Sequence, residues 1–408
     1  MLIGIDDTDS LSGGCTTYIA ALLAHKLNVL QLPKLVRLNP NIPYKTRGNA
    51  ALAIEVGGDY EEVKREVIRV VKNNAFLSDP RTNPGIALVE KLSRKEYNLL
   101  FDFYRKALSQ LVSISEARAL AQRVGIELIT FGNGRGSIGA LAALGCRLKQ
   151  KTFELIAYRT RENWKRKRKI SVESVRAMDK ATYPQTFDNI DEETGKVLIT
   201  PHGYDPVYVG IRGVSEEAVL KAWNMLEVLE PVSMVQVFET NQATDVHYIP
   251  KKIADVRAYD CVVVEGEVLE IPKRMVGGHV FFLIGDDSGR IYCAAYEPTG
   301  NFRDKVEKLR VGDKLRVFGG VGKYTNTLNL EKFEVLEVAE SYRFLPPICC
   351  GKTMTSAGRG KGWKCRKCGK RKGEKDLRKI KERRELEIGW YEVPPRARRH
   401  LVKPLILY

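Results

Sequence analysis

Apolar and polar positions along this chain follow changing rhythms, and each change marks a new unit. Residues 2–5 and 50–56 are apolar runs of strand length. Residues 60–74 carry apolar side chains at helical spacing, and residues 93–111 do so with Tyr97, Leu100, Phe101 and Tyr104. Ser115-Glu116 opens another predicted helix that ends near Gly125, and residues 126–131 read as a strand. Strands and helices taking turns in this way predict an α/β unit over residues 1–150.

The next stretch begins with a strand over 153–158. It continues with a helix over 172–181, a strand over 207–211, a helix over 216–226 and a strand over 232–238. That succession fits a ferredoxin-like α+β layer spanning residues 151–250. From 261 to 338 the pattern is all β, with runs at 261–268, 279–285, 290–296, 314–319 and 327–338. A short helix over 302–309 falls between the third and fourth, the arrangement of an OB-fold barrel, placed at residues 251–340. Residues 345–408 complete the chain, with a short cysteine-containing module at 345–371 and, from 374, a predicted charged helix and a Pro- and Arg-rich tail. The expected class is therefore multidomain, α/β and α+β together.

A chain of 408 residues is too long for one ordinary core, which agrees with several units. Lys+Arg 67 against Asp+Glu 50 gives a net charge of +17, which favours an anionic partner or marks a solvated basic surface. A basic burst runs from Trp164 through Lys165-Arg166-Lys167-Arg168-Lys169. Met1 leads straight into the first strand with no secretory signal, and no run approaches the ~20 apolar residues of a membrane span. A cytoplasmic protein with no membrane association is expected, and no protein partner is predicted. Four of the eight cysteines sit in one C-terminal stretch, which reads as metal binding in a reducing compartment.

The strongest local signal is at the front. The first strand runs into Asp6-Asp7-Thr8-Asp9-Ser10, then Gly13-Gly14-Cys15-Thr16-Thr17 and an apolar helix. Three carboxylates on one loop repel each other unless a cation lies among them, and Mg²⁺ takes hard oxygen ligands that it shares with nucleotide phosphates. The Gly-Gly turn ahead of a helix suits a phosphate, while the bland reading is an Asx-rich turn that caps the helix. A second glycine loop, Gly132-Asn133-Gly134-Arg135-Gly136-Ser137-Ile138-Gly139, also follows a strand and precedes a helix. There Arg135 is placed to clamp a phosphate, although glycines also make plain turns. Lys45 and Arg47, in Pro43-Tyr44-Lys45-Thr46-Arg47-Gly48-Asn49, can neutralise phosphates and Tyr44 can stack on a base.

Three polar clusters stand out in the ferredoxin-like stretch: residues 183–191, 202–206 with Asp205, and 240–247 with Asn241, Asp245 and His247. Each is a candidate ligand site or an ordinary loop. At the C-terminus, Cys349-Cys350 and the pair Cys365, Cys368 outline a zinc ribbon among many cations and Trp363.

With these segments in hand, the chain resembles the archaeal tRNA(Ile) 2-agmatinylcytidine synthetase family over essentially its full length. The resemblance is carried by residues 3–10 with Cys15-Thr16-Thr17, by Lys45 to Asn49 and by Gly132 to Gly136. It extends to Thr240-Asn241-Gln242 with Thr244, Asp245 and His247, and to the tail from Pro394 to Leu401. It implies a kinase-like first domain, then a ferredoxin-like domain, an OB-fold and a zinc ribbon. It further implies an ATP-dependent carbon–nitrogen ligase that attaches agmatine to C2 of the wobble cytidine of the minor isoleucine tRNA. The product reads AUA instead of AUG, and the path runs through a cytidine phosphorylated at O2.

On that resemblance Asp6, Asp7 and Asp9 hold Mg²⁺, Thr16 matches the family's autophosphorylated threonine, and Arg135 serves phosphoryl transfer. ATP falls to Gly13, Gly14, Lys45, Arg47, Gly134 and Gly136. Agmatine and cytidine fall to Asp205, Asn241, Asp245 and His247, with His247 as the candidate base. Zn²⁺ falls to Cys349, Cys350, Cys365 and Cys368. The family's ribbon begins with a CxxC pair, whereas Pro347 stands three residues before Cys350 here. Other readings are a different ATP-dependent tRNA-modifying enzyme and a non-catalytic RNA-binding protein.

Overall fold

The computed structural model describes residues 1–46 and 48–408. The strand Leu2–Asp6 lies inside a ten-stranded sheet, paired antiparallel with Ala50–Gly57 on one side and Gly85–Val89 on the other. Alternation along these strands sends Ile3, Ile5, Leu52 and Ile54 to one face, against helices α1 (Thr16–Lys26) and α2 (Tyr60–Asn74). Ala51, Ala53, Ala87 and Val89 face the other way, against α3 (Arg94–Ser109), α4 (Ile114–Val124) and α5 (Gly136–Leu144). Helices therefore cover both faces, although the strand pairings within this first part are antiparallel.

The apolar run Gly85–Val89, buried at every position, is a further strand of this sheet, beyond those expected from the sequence. Helix α4 begins at Ile114 rather than at Ser115-Glu116. Ser113 is its N-cap and Glu116 closes a capping box, so the S-x-x-E spacing sets the start. Helix α5 begins at Gly136, so its first turn takes in the end of the second glycine loop, Gly136 to Gly139. It lies so close to the sheet that a Cβ on Gly4, Gly85 or Gly136 would collide with backbone.

The ferredoxin-like strands Thr152–Arg159, Val207–Gly213 and Val232–Thr240 continue the same sheet. The join is a short parallel pairing of Glu239 and Thr240 with Lys34 and Leu35 of the strand Lys34–Arg37. Five strands close the barrel that follows: Cys261–Val268, Val280–Gly285, Arg290–Ala295, Lys314–Val321 and Thr327–Glu337. The closure pairs Glu267 with Gly285.

After the barrel the chain makes the ribbon and then returns. The charged helix predicted from 374 is absent: a 3-10 turn Glu374–Asp376 leads into the strand Arg378–Lys381, paired with Tyr342–Leu345. The stretch lacks an apolar stripe for a helix to bury, and Lys379 instead sits 3.8 Å over the Tyr342 ring. The strand Gly389–Glu392 then joins the barrel sheet, and the last residues pass through two 3-10 turns, Pro395–Ala397 and Leu405–Leu407, each entered from a proline, Pro394 and Pro404. Among the described residues no helix is long and apolar enough to cross a membrane.

Candidate active site

A cavity of about 960 Å³ opens between the first part and the ferredoxin-like layer. The strand Leu2–Asp6 delivers its carboxylates to one end of it. Asp6 packs against Gly139 of α5, where a Cβ would strike the Asp6 carboxylate. Burial raises the Asp6 carboxyl well above the usual range, and the neighbouring Asp7 and Asp9 push it the same way. Asp7 takes a left-handed backbone (φ 57°) and accepts from Arg135 Nε and Nη2, both at 2.9 Å, and from Asn83 N at 3.2 Å. Burial raises Asp7 too, with the Arg135 guanidinium opposing it. Asp9 lines the same wall, and its carbonyl accepts from Thr82 Oγ1 at 2.8 Å.

Helix α1 points its N-terminus into this end. Cys15, Thr16 and Thr17 line the cavity, the first turn carries no acidic residue, and Thr16 Oγ1 accepts from Thr8 Oγ1 at 3.1 Å. A helix N-terminus with no acid of its own suits an external anion. Gly13 and Gly14 shape the turn that leads there (φ 153° and 77°), and a Cβ on Gly14 would lie 3.2 Å from the Thr8 carbonyl. They stand behind the cavity wall rather than in it.

The second glycine loop works differently from its expected role. Gly134 N bonds the Phe131 carbonyl and Gly136 N bonds the Asn83 carbonyl, so neither amide is turned to the cavity. Both glycines permit close packing, and the loop's side chain in the cavity wall is Arg135, which is held by Asp7 and donates to the Arg81 carbonyl at 2.6 Å. Lys45 lines the opposite wall, its ammonium on the Pro40 carbonyl. Arg47 lies outside the described residues.

The predicted agmatine and cytidine residues part company. Asp205 lines the cavity and pairs with Arg168 at 3.0 Å, and the same guanidinium gathers the carbonyls of Pro201, Gly203 and Val207. Asn241, Asp245 and His247 do not reach the cavity. Asn241 bonds Arg37 N and O and the Tyr104 hydroxyl. Asp245 pairs with Lys332 of the barrel and accepts from Lys403 N at 2.8 Å. His247 is fully buried on Tyr248, its Nε2 3.7 Å from Glu331. Their density reflects a seam between units, where buried polar groups must find partners. The cluster at 183–191 has the same explanation, since Asp188 pairs with Arg398 and Asp191 with Arg396 of the tail.

Sequence reasoning missed Arg37, Glu154, Arg212 and His400, which line the cavity. Glu154 lies 3.5 Å from Arg37, and Gly210 leaves room beside its Oε1, where a Cβ would sit 2.8 Å away. These residues come from strand interiors and a distant tail, so no local motif marks them.

In the ribbon, the thiols of Cys349, Cys350, Cys365 and Cys368 lie within 4.8 Å of one another, with Cys349 to Cys368 at 3.5 Å. Tetrahedral zinc with Zn–S near ~2.3 Å needs such spacing. Cys350 and Gly351 take left-handed backbone (φ 50° and 75°), a turn that brings both adjacent cysteines to one centre. Backbone N–H groups of Cys368 and Lys367 lower the Cys365 thiol to about 6, which favours the thiolate a metal requires.

Family models match most of the chain in the order seen in the fold. They are the TiaS TCKD domain at 2–133, the TiaS FLD domain at 134–247, an OB-fold nucleic acid binding domain at 262–336 and the TiaS C-terminal zinc ribbon domain at 346–386. The 2-agmatinylcytidine synthetase TiaS of Pyrococcus horikoshii, which acts on an isoleucine tRNA, is 46% identical, covering 99% of this chain and 96% of that protein. That of Methanocaldococcus jannaschii is 42% identical over 100% and 98%. Among solved structures, TiaS in complex with its isoleucine tRNA and ATP superposes with a TM-score of 0.91 at 42% identity, covering 100% of this chain and 97% of that one. TiaS with the same tRNA, AMPCPP and agmatine gives 0.88 at 40% over the same shares. Identity of this order along the whole length, on the same succession of four units, means that the chain belongs to the TiaS family of tRNA(Ile) 2-agmatinylcytidine synthetases.

Proposed function

We infer that the chain joins agmatine to the wobble cytidine of the minor isoleucine tRNA at the expense of ATP, and that the large cavity is where this happens. The observation that carries the reading is convergence. The Asp6–Asp9 loop, the N-terminus of α1 with Thr16, and the basic wall of Lys45 and Arg37 face one space. At about 960 Å³ that space is at the upper end of small-molecule sites, room for a nucleotide and an extruded base.

The chemistry explains why carboxylates, a hydroxyl and cations are needed together. Cytosine O2 is a poor leaving group until it carries a phosphoryl group. The primary amine of agmatine then attacks C2, loses a proton, and the C2–O bond breaks to release phosphate. Mg²⁺ would be held by Asp6 and Asp9 and would offset phosphate charge during the transfer. Buried Asp6, its carboxyl pushed up by Asp7 and Asp9, fits such a cation. Asp7 is engaged on both oxygens by Arg135 and so positions the loop. Thr16 would take up the phosphoryl group at the N-terminus of α1. Among the acids of the ferredoxin-like side, Glu154 replaces Asp245 as the carboxylate open to a guanidinium. The ribbon and barrel would hold the tRNA through phosphates and shape.

Mass spectrometry of tRNA nucleosides after incubation with protein, ATP, Mg²⁺ and agmatine tests the reading. An ATP-dependent addition of agmatine size at one anticodon cytidine is expected. ATP turnover without that addition would overturn the choice of amine.

A further inference from the structure

The main cavity has a side chamber of about 170 Å³, bounded by Arg37, Lys45, Gly48, Arg399, His400 and Leu401. One water needs only ~10–15 Å³ of such space, so the chamber takes a larger guest. Arg37, Lys45, Gly48 and His400 also line the main cavity, and the two spaces adjoin across them. One side of the wall comes from Arg37 and the segment after it, with Leu38 and Pro40 beside Lys45 and Gly48. The other side comes from the C-terminal tail, which is anchored where His400 O and Leu401 O accept from the amides of 243–245.

The wall is cationic. Among the described residues Arg37 has one carboxylate neighbour, Glu154 at 3.5 Å, and Arg399 has one, Glu331 at 3.2 Å from its Nε, with its Nη1 on Asn41 Oδ1. The Lys45 ammonium meets only the Pro40 carbonyl among the described residues. Two buried polar atoms of this wall, Arg37 Nε and His400 Nδ1, have no hydrogen-bond partner among the described residues. Burial, with Arg37 and Arg212 alongside, holds the His400 imidazole well below its usual range, so it adds no charge of its own. Gly48 keeps the chamber open, for a Cβ there would lie 2.6 Å from Arg37 Nη1 and 3.2 Å from His400 Nε2. A cation would be repelled here, and an apolar guest would leave those polar atoms unmatched. A tetrahedral oxyanion satisfies the cations and the unpaired Arg37 donor at once.

We propose that this chamber is a phosphate-binding site completed by the C-terminal tail. It rests on the synthetase reading of the main cavity, and its phosphate is either inorganic phosphate released in the reaction or the backbone phosphate of the extruded nucleotide. The test uses the full chain, with inorganic phosphate as the probe, in calorimetric titrations and as an inhibitor of agmatine incorporation. The parent is compared with His400→Phe, which fills the space without changing charge, and with Lys45→Met. Both substitutions should weaken phosphate binding by about tenfold while circular dichroism melts stay near the parent's. Unchanged phosphate affinity in the two folded variants overturns the proposal.

Gly48→Ala, which crowds the chamber and removes no charge, replaces either variant if that one melts early. Should the parent incorporate no agmatine, the functional reading fails while the titrations still decide the chamber. A tRNA with a methylphosphonate 5′ to the target cytidine separates the two sources. A raised KM in the parent but not in Lys45→Met assigns the backbone phosphate, and an unchanged KM assigns the released one.

Discussion

The loop at 6–17 and the loop at 240–247 are both dense in polar residues at the end of a strand, the first with three aspartates and the second with Asp245 among Thr, Asn, Gln and His. Their surroundings differ. Around the first, Asp6, Asp9 and Thr16 face a cavity, and the Asp6 carboxyl is pushed up by burial beside like charges. Around the second, Asn241 holds the backbone of Arg37, Asp245 meets Lys332, and Thr244 bonds the Asn241 carbonyl at 2.6 Å. A loop whose side chains are engaged by Arg37, Lys332 and the tail across a seam is an interface, whereas one that leaves carboxylates crowded at an opening is prepared for a ligand.

Substitutions separate the two, beginning with the largest effect. Asp6→Asn and Asp7→Ala should each lower tRNA-dependent ATP consumption about 10²–10³-fold and leave the tRNA Kd nearly unchanged. ATP turnover equal to the parent's would remove the Asp loop from the chemistry. In the seam, Lys332→Met takes away a side chain with no exposure that pairs with Asp245 and bonds the Tyr408 hydroxyl at 2.7 Å. Stranding that carboxylate should cost roughly 3 kcal/mol in urea unfolding, with ATP affinity of the folded fraction kept. A stability change under about 0.5 kcal/mol would mean the seam is not held by this pair.

A third, smaller effect concerns the ribbon. Chelation of zinc, or Cys350→Ser, should weaken tRNA binding several-fold and flatten its salt dependence, with tRNA-independent ATP binding intact. Elemental analysis should show one zinc per chain, falling in Cys350→Ser. Equal zinc content in that variant would remove Cys350 from the ligand set. The smallest effect is expected at His247. His247→Phe should leave the kcat–pH profile in place and alter kcat by less than about twofold, since its ring lies in the seam. Loss of one limb of that profile in a folded variant would return His247 to the site.

Much of the architecture was legible. Hydrophobic period located the barrel strands and the ferredoxin-like elements to within a few residues, because each buries one face and must alternate to do so. Gly85–Val89 escaped because a strand buried on both faces has no period, and its short apolar run follows the turn-rich 78–84 with little else to mark it. The helix expected after 374 is a strand instead, because charge-rich sequence serves a short strand as well as a helix.

At the site, the front motif was readable since its acids, turn glycines and helix start are contiguous. Arg37, Glu154, Arg212 and His400 were not, because each belongs to a segment whose own sequence gives it no chemical company. The ribbon shows both cases. The four cysteines were visible as a set, while the left-handed turn at Cys350 that lets neighbours share one centre was not.

By itself, then, the sequence determined the order of units, the nature of the acidic loop and the cysteine set, all consequences of short-range spacing along the chain. The tertiary structure alone decided that Gly134 and Gly136 serve packing, that the 240–247 cluster is a seam, and that the C-terminal tail returns to wall the cavity. Those outcomes depend on what a side chain meets across space. Burial, charge pairing and steric room are properties of that meeting rather than of the residue.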